Sequence, residues 1–440
     1  MSRTMLRKSA QFYKIALLRY LGPLPRALLS QRPAGDDAFY HAPSRATETD
    51  KLVLTLAGGI AFGYAISLAM MFIAHTWILD GLGHPIKDDF VVFWAAGHAA
   101  LKGAALLAYD THRQHAAEVA TIGHGFSGTL GWSYPPLFLF VAAALASLPY
   151  VYAFVLWLSS TVALHASVMA AIAKRRIAFV VACAAPWVLT ALTPGQNGFL
   201  TSAIIGLVLL HLEKRPALAG LILGLLSYKP QFGILFPLAL AAGGYWRAFA
   251  WACVSTLAWN GLACAVFGFE TFSAFFHALS ATTETHLTHM SIGWNTLQSL
   301  YGLVRALGGS LGAAEAAQAF LAALAAITVV LCWRGQAPFS LKAAVLAAAI
   351  PLVTPYIFVY DLPMLAVAVA FLFRHRSFDK MELVLLAATA PCVYAVILLP
   401  MPSAFFASLA VAGIAARRIY CAGALTRITP SCTTGVPSSA

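Results

Sequence analysis

The run from Leu52 to Ala74 contains no charged residue and is long enough to cross a lipid bilayer as one helix. A bilayer core requires about 20 consecutive apolar residues in a helix, which pairs all its backbone polar groups internally. Of the 440 residues in the chain, 60% are hydrophobic and 10% are charged, whereas soluble domains carry about 25% charged residues. The sequence therefore predicts an all-α, polytopic transmembrane bundle.

A basic segment, residues 1–51, precedes this run and carries nine Lys or Arg residues against four acidic ones. Charges and prolines interrupt its apolar stretch from Ile15 to Leu29, which predicts an interfacial helix rather than a signal peptide. The positive charge places this segment in the cytoplasm. The net charge of +12 is spread over tails and short loops, so it indicates topology and no nucleic-acid partner. The seven cysteines form no CxxC pair, and we expect no disulfide framework and no metal site.

Further apolar runs predict about 10 to 13 membrane helices within a domain of residues 52–416, followed by a mobile cytoplasmic tail, residues 417–440. Several runs are shorter than a full crossing, which is typical of broken helices that line a cavity. The runs are 135–149, 151–173, 177–192, 198–212, 217–228, 231–243, 247–267, 312–333, 341–353, 356–373, 381–399 and 402–416.

Cationic clusters mark the cytoplasmic ends of these helices. They are 174–176, 214–215, Arg247, Arg334, 374–376 and 417–418. The opposite, outer face then receives the loops 75–132, 194–197, 229–231, 268–295 and 351–361. One conflict remains in this topology. The apolar runs within residues 133–173 predict two membrane crossings, whereas the charges on either side of this segment require an odd number of crossings.

The long first outer loop is predicted to contain a helix at the membrane interface, in the tract FVVFWAAGHAALKGAALLAYD. Asp88 and Asp89 stand just before it. A carboxylate there could be a general base for an acceptor hydroxyl. The alternative is that one aspartate caps the helix, since Asp is a preferred N-cap residue.

Three other outer loops carry polar residues between apolar runs. Lys229 beside Pro230 could bind a phosphate from a broken helix, or extend to the interface from a helix end. Gln196 and Asn197 could hold sugar hydroxyls, or form an ordinary turn. Asp361 could orient a substrate or pair with Lys229, or cap a local turn.

The outer loop 268–295 holds five titratable residues and no Lys or Arg. The HxxH spacing of His286 and His289 is a weak metal signal without a third ligand. The loop favours contacts to phosphate or sugar over a metal site, and for any single histidine it favours no role at all, because interfacial loops are polar anyway. The five residues are Glu270, His277, Glu284, His286 and His289.

Taken together, six tracts in order resemble the bacterial glycosyltransferase 87 family, membrane enzymes of the GT-C class similar to polyprenyl-phosphate-mannose-dependent alpha-mannosyltransferases. The resemblance covers about residues 52–416. It implies a GT-C fold, a lipid-phosphate sugar donor and an acidic catalytic base in the first outer loop, which maps to Asp89 with Asp88 as the fallback. The tracts are Asp89-Phe90 with Gly103 and Tyr109-Asp110, WSYPPLF with Tyr134, PGQNGFL, AGLILGLLSYKPQFGILFP, SLYGLVRALG and TPYIFVYDL.

The hypothesis is metal-independent, inverting transfer of a mannose-like hexose from a polyprenyl-phosphate donor to an envelope glycolipid or polysaccharide, without a cofactor. The reaction is expected on the periplasmic face of a bacterial inner membrane, among membrane lipids. Asp89 would act as the base, and Lys229, with His286 or His289, would bind the donor phosphate. Sugar or acceptor contacts are expected from Tyr109, Tyr134, Gln196, Asn197 and Asp361. The rival functions are a polytopic lipid transporter or flippase and a non-catalytic membrane scaffold.

Overall fold

The structure is a computed structural model that describes residues 48–128, 130–283 and 293–422. The chain divides into two units, Met1–Lys51 and Leu52–Ala440. Within the described ranges every regular element is helical, and the β pairing is confined to isolated bridges near Leu79. The predicted all-α, polytopic helical fold is confirmed. The expected interfacial helix within 15–29 lies outside the described residues.

Eighteen α-helices are described, numbered here in chain order. They are α1 (Glu48–Ile73), α2 (Asp89–Leu101), α3 (Thr111–Ile122), α4 (Leu139–Ala146), α5 (Tyr150–Ala173), α6 (Ile177–Cys183), α7 (Val188–Leu192), α8 (Gly198–His211), α9 (Pro216–Leu225), α10 (Leu235–Ala242), α11 (Trp246–Phe267), α12 (Phe269–Thr283), α13 (Leu300–Ala306), α14 (Leu311–Arg334), α15 (Phe339–Val353), α16 (Leu365–His375), α17 (Lys380–Leu398) and α18 (Phe405–Cys421). Short 3-10 turns connect them at Ala105–Tyr109, Pro136–Phe138, Leu226–Tyr228, Pro230–Phe232, Trp294–Thr296 and Val359–Met364.

Five of the described helices are long and apolar enough to cross a membrane: α1, α5, α11, α14 and α17. They contain 19 to 26 residues, which at about 1.5 Å per residue corresponds to the thickness of a bilayer core. Their large apolar side chains are often exposed, as in Phe62 of α1, Leu257 of α11 and Phe320 of α14. An exposed apolar surface on this scale is suited to contact with lipid.

The segment 133–173 contains one helix of spanning length, not the two crossings that its apolar runs suggest. Helix α4 has 8 residues and is about 12 Å long, far short of a crossing. It packs against α2 so closely that a Cβ at Gly97 would lie 2.0 Å from the carbonyl oxygen of Ala142. Helix α5, with 24 residues, is the single span-length element. If α5 alone crosses the membrane, the segment agrees with the charges on either side of it.

The helix predicted in the first outer loop is present as α2, and it is more buried than a helix lying on the surface. Its N-terminal half, including Phe90 and Phe93, is covered by neighbouring elements. The short helix α3 follows and is capped by Asp110, whose carboxylate accepts from the backbone N–H groups of His112 and Arg113. This outer segment therefore forms a packed layer with a defined orientation.

The last helix, α18, continues to Cys421, so it extends past the predicted boundary at 416. Arg418 is 2% exposed and pairs with Glu382 of α17 at 2.6 Å, while Arg417 pairs with Asp379 at 2.6 Å. Arg376 also pairs with Glu382, at 3.2 Å. The cationic clusters 374–376 and 417–418 thus meet at one end of the bundle.

Candidate functional site

Two aspartates stand at the N-terminus of α2, and the structure gives them different surroundings. Asp88 is the N-cap: its Oδ1 accepts from the backbone N–H groups of Phe90 and Val91 and from the hydroxyl of Tyr150. Burial, and then the charge of Asp89, raise the pKa of Asp88 to about 8. The alternative hypothesis, that one of the two aspartates caps the helix, therefore holds for Asp88.

Asp89 is half-buried and faces the break before α8. Its Oδ2 accepts a hydrogen bond of 3.0 Å from Nε2 of Gln196, and Oε1 of Gln196 accepts one of 3.0 Å from the Tyr134 hydroxyl. These three residues are called the Asp89 cluster below. Burial raises the pKa of Asp89 and the charge of Asp361 adds to this, while Gln196 and Lys229 lower it.

A second group, the Lys229 cluster, lies beside the first. Nζ of Lys229 is 2.7 Å from Oδ1 of Asp361, and the two residues are only 5% and 1% exposed. The rings of Phe232, Tyr360 and Tyr134 surround the ammonium at 5.4, 5.7 and 5.8 Å from their centroids. Tyr134 belongs to both clusters and connects them.

Breaks in the helices bring these residues together. Lys229 stands between two 3-10 turns, Leu226–Tyr228 and Pro230–Phe232, where Pro230 prevents a continuous helix. Asp361 is on the 3-10 turn Val359–Met364, and its Oδ2 accepts from the backbone N–H of Phe358. Each charged side chain therefore projects from a chain interruption, as expected for polar residues within an apolar bundle.

Two glycines allow the break at 193–198 to reach the other elements. Gly195 has a φ of 68°, and a Cβ there would lie 2.8 Å from Phe90 and from Phe154. A Cβ at Gly198 would lie 1.9 Å from the carbonyl oxygen of Tyr360. Because neither position has room for a larger side chain, the PGQNG tract holds Gln196 between Asp89 and the turn that carries Asp361.

The remaining predicted contact residues differ in how directly they face the site. Asn197 is fully buried, and its side-chain amide lies near the Tyr134 hydroxyl. Among the described residues, no group meets the geometry of a hydrogen bond with either atom of this amide. The hydroxyl of Tyr109 donates to the backbone carbonyl of Tyr134 at 2.9 Å, so it holds that residue. His286 and His289 lie outside the described residues.

Some residues of the site carried no sequence signal of their own. Tyr360 and Phe232 are aromatic residues in apolar tracts, where such residues are common. The only sequence feature that could have indicated a place in the site is that they lie close to Asp361 and Lys229 along the chain. The contact between Asp89 and Gln196 joins residues 107 positions apart. It depends on the tight turn at Gly195, which a hydrophobicity pattern does not specify.

This geometry defines a class of protein: an all-helical, multi-pass membrane protein whose broken helices enclose a half-buried acid, an amide and a buried ion pair. The chain belongs to glycosyltransferase family 87, whose family model matches residues 132–355, half of the sequence. It is thus a membrane glycosyltransferase. The match covers Tyr134, Gln196 and Lys229, while Asp89 and Asp361 lie on either side of it. No curated protein and no solved structure matches the chain.

Proposed function

We propose that this glycosyltransferase moves a mannose-like hexose from a polyprenyl-phosphate donor to a hydroxyl of an envelope glycolipid or polysaccharide. The reaction takes place on the periplasmic face of a bacterial inner membrane, within a catalytic domain of residues 52–416. One observation carries the proposal: the half-buried carboxylate of Asp89 is linked through Gln196 to the Tyr134 hydroxyl, and the Tyr134 ring lies 5.8 Å from the buried ammonium of Lys229, which pairs with Asp361. A base and a phosphate partner are the two groups that such a transfer needs.

Asp89 is the better of the two candidate bases. Both aspartates are half-buried, but Asp88 already accepts three hydrogen bonds as a cap, whereas Asp89 accepts one, from Gln196. A carboxylate with a raised pKa accepts a proton more readily once it is ionised, which suits a general base. Gln196 would keep the carboxylate oriented towards the acceptor hydroxyl.

The proposed reaction is a single displacement at the anomeric carbon. The acceptor oxygen forms the new bond to that carbon, and its proton passes to Asp89. The bond between the anomeric carbon and the phosphate oxygen breaks, and the lipid phosphate leaves with the bonding electrons. Attack from the face opposite the leaving phosphate inverts the configuration.

Lys229 would offset the charge that develops on the leaving phosphate. Its ammonium is removed from water and held by Asp361, so little reorganisation is needed when a phosphate approaches. The proposal also assigns His286 or His289, which lie outside the described residues, to the donor phosphate. Asn197, which is fully buried beside the Tyr134 hydroxyl, would donate to the sugar or to the phosphate.

Two adjoining cavities support a lipid-linked donor. One, of about 500 Å³, lies between α10 and α11 and reaches Ser227 and Pro230, which flank the Lys229 position. The other, of about 580 Å³, lies between α11 and α12, and the two share Leu257. Both cavities are open to the surroundings of the protein, and their almost entirely apolar lining suits a hydrocarbon chain. Lys229 lines neither of them, and the proposal directs the donor phosphate past Pro230 towards its ammonium.

The test compares the envelope glycolipids and polysaccharides of cells with and without the protein, using plasmids that restore wild type, Asp89→Asn or Asp110→Asn. We expect one glycosylated species to be lost on deletion and restored by wild type and by Asp110→Asn, a control that removes an exposed carboxylate of the same loop. Asp89→Asn should not restore it.

Purified protein with a radiolabelled polyprenyl-phosphate hexose then tests the donor directly. Transfer to an extract of the deletion strain supports the proposal. Restoration by Asp89→Asn would reject the assigned base, and movement of labelled lipid across proteoliposomes without sugar transfer would indicate the transporter instead.

A further inference from the structure

Two consecutive residues of α8, Thr201 and Ser202, carry fully buried hydroxyl groups that the site described above does not include. Both lie near the start of the helix, just after the close approach of Gly198 to the carbonyl oxygen of Tyr360. A buried hydroxyl is costly unless it is hydrogen-bonded, so its partners show which segments it holds together.

Thr201 contacts the chain segment of Lys229. Its Oγ1 donates to the carbonyl oxygen of Asn197 at 3.1 Å and lies within hydrogen-bond distance of the Tyr228 hydroxyl. A threonine hydroxyl carries one proton, which Asn197 accepts, so Tyr228 is the donor in the second bond. Tyr228 immediately precedes Lys229, and its ring stacks on Phe138 with the centroids 5.0 Å apart. Thr201 therefore holds one end of the chain interruption from which the ammonium projects.

Ser202 contacts the chain segment of Asp361. Its Oγ donates to the carbonyl oxygen of Pro363 at 2.9 Å, and Pro363 belongs to the turn Val359–Met364, two residues beyond Asp361. The two partners are 161 positions apart, so this bond joins α8 to a distant part of the chain. Thr201 and Ser202 thus connect both segments of the buried ion pair to one helix.

His165 of α5 supports Ser202 from the other side. Its Nδ1 lies 3.0 Å from Oγ of Ser202, and the imidazole is buried and meets the Phe199 ring edge to face, with the centroids 5.4 Å apart. The single proton of the serine hydroxyl goes to Pro363, so Nδ1 of His165 is the donor in this second bond. Nε2 has no hydrogen-bond partner among the described residues, so the bond to Ser202 is the one that orients the ring.

We propose that Ser202 is a positioning residue: supported by His165, its hydroxyl fixes the turn Val359–Met364 so that the Asp361 carboxylate meets the ammonium of Lys229. Thr201 fixes the Lys229 segment against the same helix. The 2.7 Å contact between the two charged groups is then set by α8 as well as by their own side chains. The structural part of this proposal stands on these hydrogen bonds, and its effect on sugar transfer rests on the proposed function.

Backbone hydrogen exchange in the purified full-length protein tests the structural part. The N–H groups of Phe358 and Asp361 report on the turn, because they bond to Oδ2 of Asp361 and to the carbonyl oxygen of Phe358. In Ser202→Ala we expect their exchange to become about tenfold faster, since the turn loses a buried hydrogen bond. Ser408→Ala is the matched control and should match wild type. Ser408 is also 0% exposed, and its hydroxyl makes no hydrogen bond with any described group.

Two variants of His165 show whether its hydrogen bond or only its packing matters. His165→Asn keeps an N–H donor near the place of Nδ1, whereas His165→Leu fills the space without a donor. We expect His165→Leu to accelerate exchange in the turn severalfold and His165→Asn to stay close to wild type. Unchanged exchange in Ser202→Ala and in His165→Leu would overturn the proposal. So would acceleration spread evenly over the chain with lower thermal stability, because that result would show a purely structural role.

A double-variant cycle connects Ser202 to sugar transfer. If Ser202 acts through Asp361, Ser202→Ala should lower kcat for hexose transfer about tenfold in the wild-type protein and only slightly when Asp361→Asn is already present. Equal fold-losses in the two backgrounds would show that Ser202 does not act through the ion pair.

The same measurements separate this proposal from the proposed function. Exchange in the turn that responds to Ser202→Ala while Asp89→Asn keeps full activity would reject the assigned base and leave the positioning role standing. Activity lost in Asp89→Asn, with exchange in the turn unaffected by Ser202→Ala, would reject the positioning role and leave the assigned base standing.

Discussion

At the scale of single residues, adjacent aspartates have separate tasks. The carboxylate of Asp88 accepts hydrogen bonds from backbone N–H groups of α2, and the carboxylate of Asp89 accepts one from the side chain of Gln196. A helix N-cap position needs an oxygen acceptor, which Asn supplies as well as Asp, whereas a general base needs a group that can take up a proton. Exchanging each aspartate for asparagine therefore distinguishes the two roles.

Asp89→Asn should lower kcat by about a hundredfold or more, the usual contribution of a general base, whereas Asp88→Asn should keep activity within a few-fold of wild type. Both are measured as hexose transfer by purified protein, with thermal unfolding as the control for folding. Equal losses in the two variants would contradict the assignment.

The pH dependence of kcat/KM gives an independent check on Asp89. The base must be ionised, so activity should be low at acid pH and rise as the pH passes through the pKa of Asp89. Burial raises that pKa above 3.8, so the inflection should lie above this ordinary value. A wild-type profile that falls with increasing pH over this range would exclude Asp89 as the base.

For the ion pair of Lys229 with Asp361 we predict an effect on stability as well as on activity, because both partners are buried. Asp361→Asn leaves the ammonium without its counter-charge and should destabilise the protein by about 3–5 kcal/mol. The double change Lys229→Met with Asp361→Leu removes both charges and should recover most of that stability while remaining inactive. Unfolding in detergent by denaturant and transfer assays measure the two effects. A double variant that is active would show that Lys229 does not serve the leaving phosphate.

At the scale of elements, the sequence predicted the helices that coincide with apolar runs and the breaks at prolines and glycines, because these signals act locally. It did not predict α3, α12 and α13, which lie in tracts assigned to loops or left unassigned. The pair of Lys229 with Asp361 was also foreseen as one alternative, since both residues interrupt apolar runs on the same predicted face. The contact between Asp89 and Gln196 was not foreseen, because it depends on the side-chain directions set by the Gly195 turn.

The close approach at Gly198 is the element contact most sensitive to a small change. Gly198→Ala would place a Cβ 1.9 Å from the carbonyl oxygen of Tyr360, so α8 and the turn Val359–Met364 must move apart. Transfer should fall at least tenfold, because Gln196 and Asp361 would separate. Gly312→Ala in α14 is the matched control, since no atom lies within 4 Å of its added Cβ. Assays of both purified variants test this, and equal activity would show that the approach is unimportant.

At the scale of the whole molecule, the residues of the site must all reach the same face of the membrane. This requires the helices to cross in alternating directions, with every cationic cluster on the opposite face. The single span-length helix in 133–173, α5, separates the outer loop that carries Asp89 from the cationic cluster 174–176. By the positive-inside rule that cluster would be cytoplasmic, and the Asp89 loop would then be periplasmic, as the proposed function requires. The orientation also decides which donors the enzyme can use, because water-soluble nucleotide sugars are made in the cytoplasm while lipid-linked sugars can be presented on either face.

Cysteine accessibility tests this arrangement in intact cells. In a variant without native cysteines, Leu82→Cys stands in the exposed first loop and Lys174→Cys at the end of α5. A membrane-impermeant maleimide should label the first in cells whose outer membrane alone is permeabilised, and the second only after the inner membrane is opened. Labelling of both from the same side would mean that 133–173 crosses an even number of times, which an 8-residue α4 is too short to allow. Reversed labelling would instead keep the fold and the site, and would place the Asp89 cluster in reach of cytoplasmic donors.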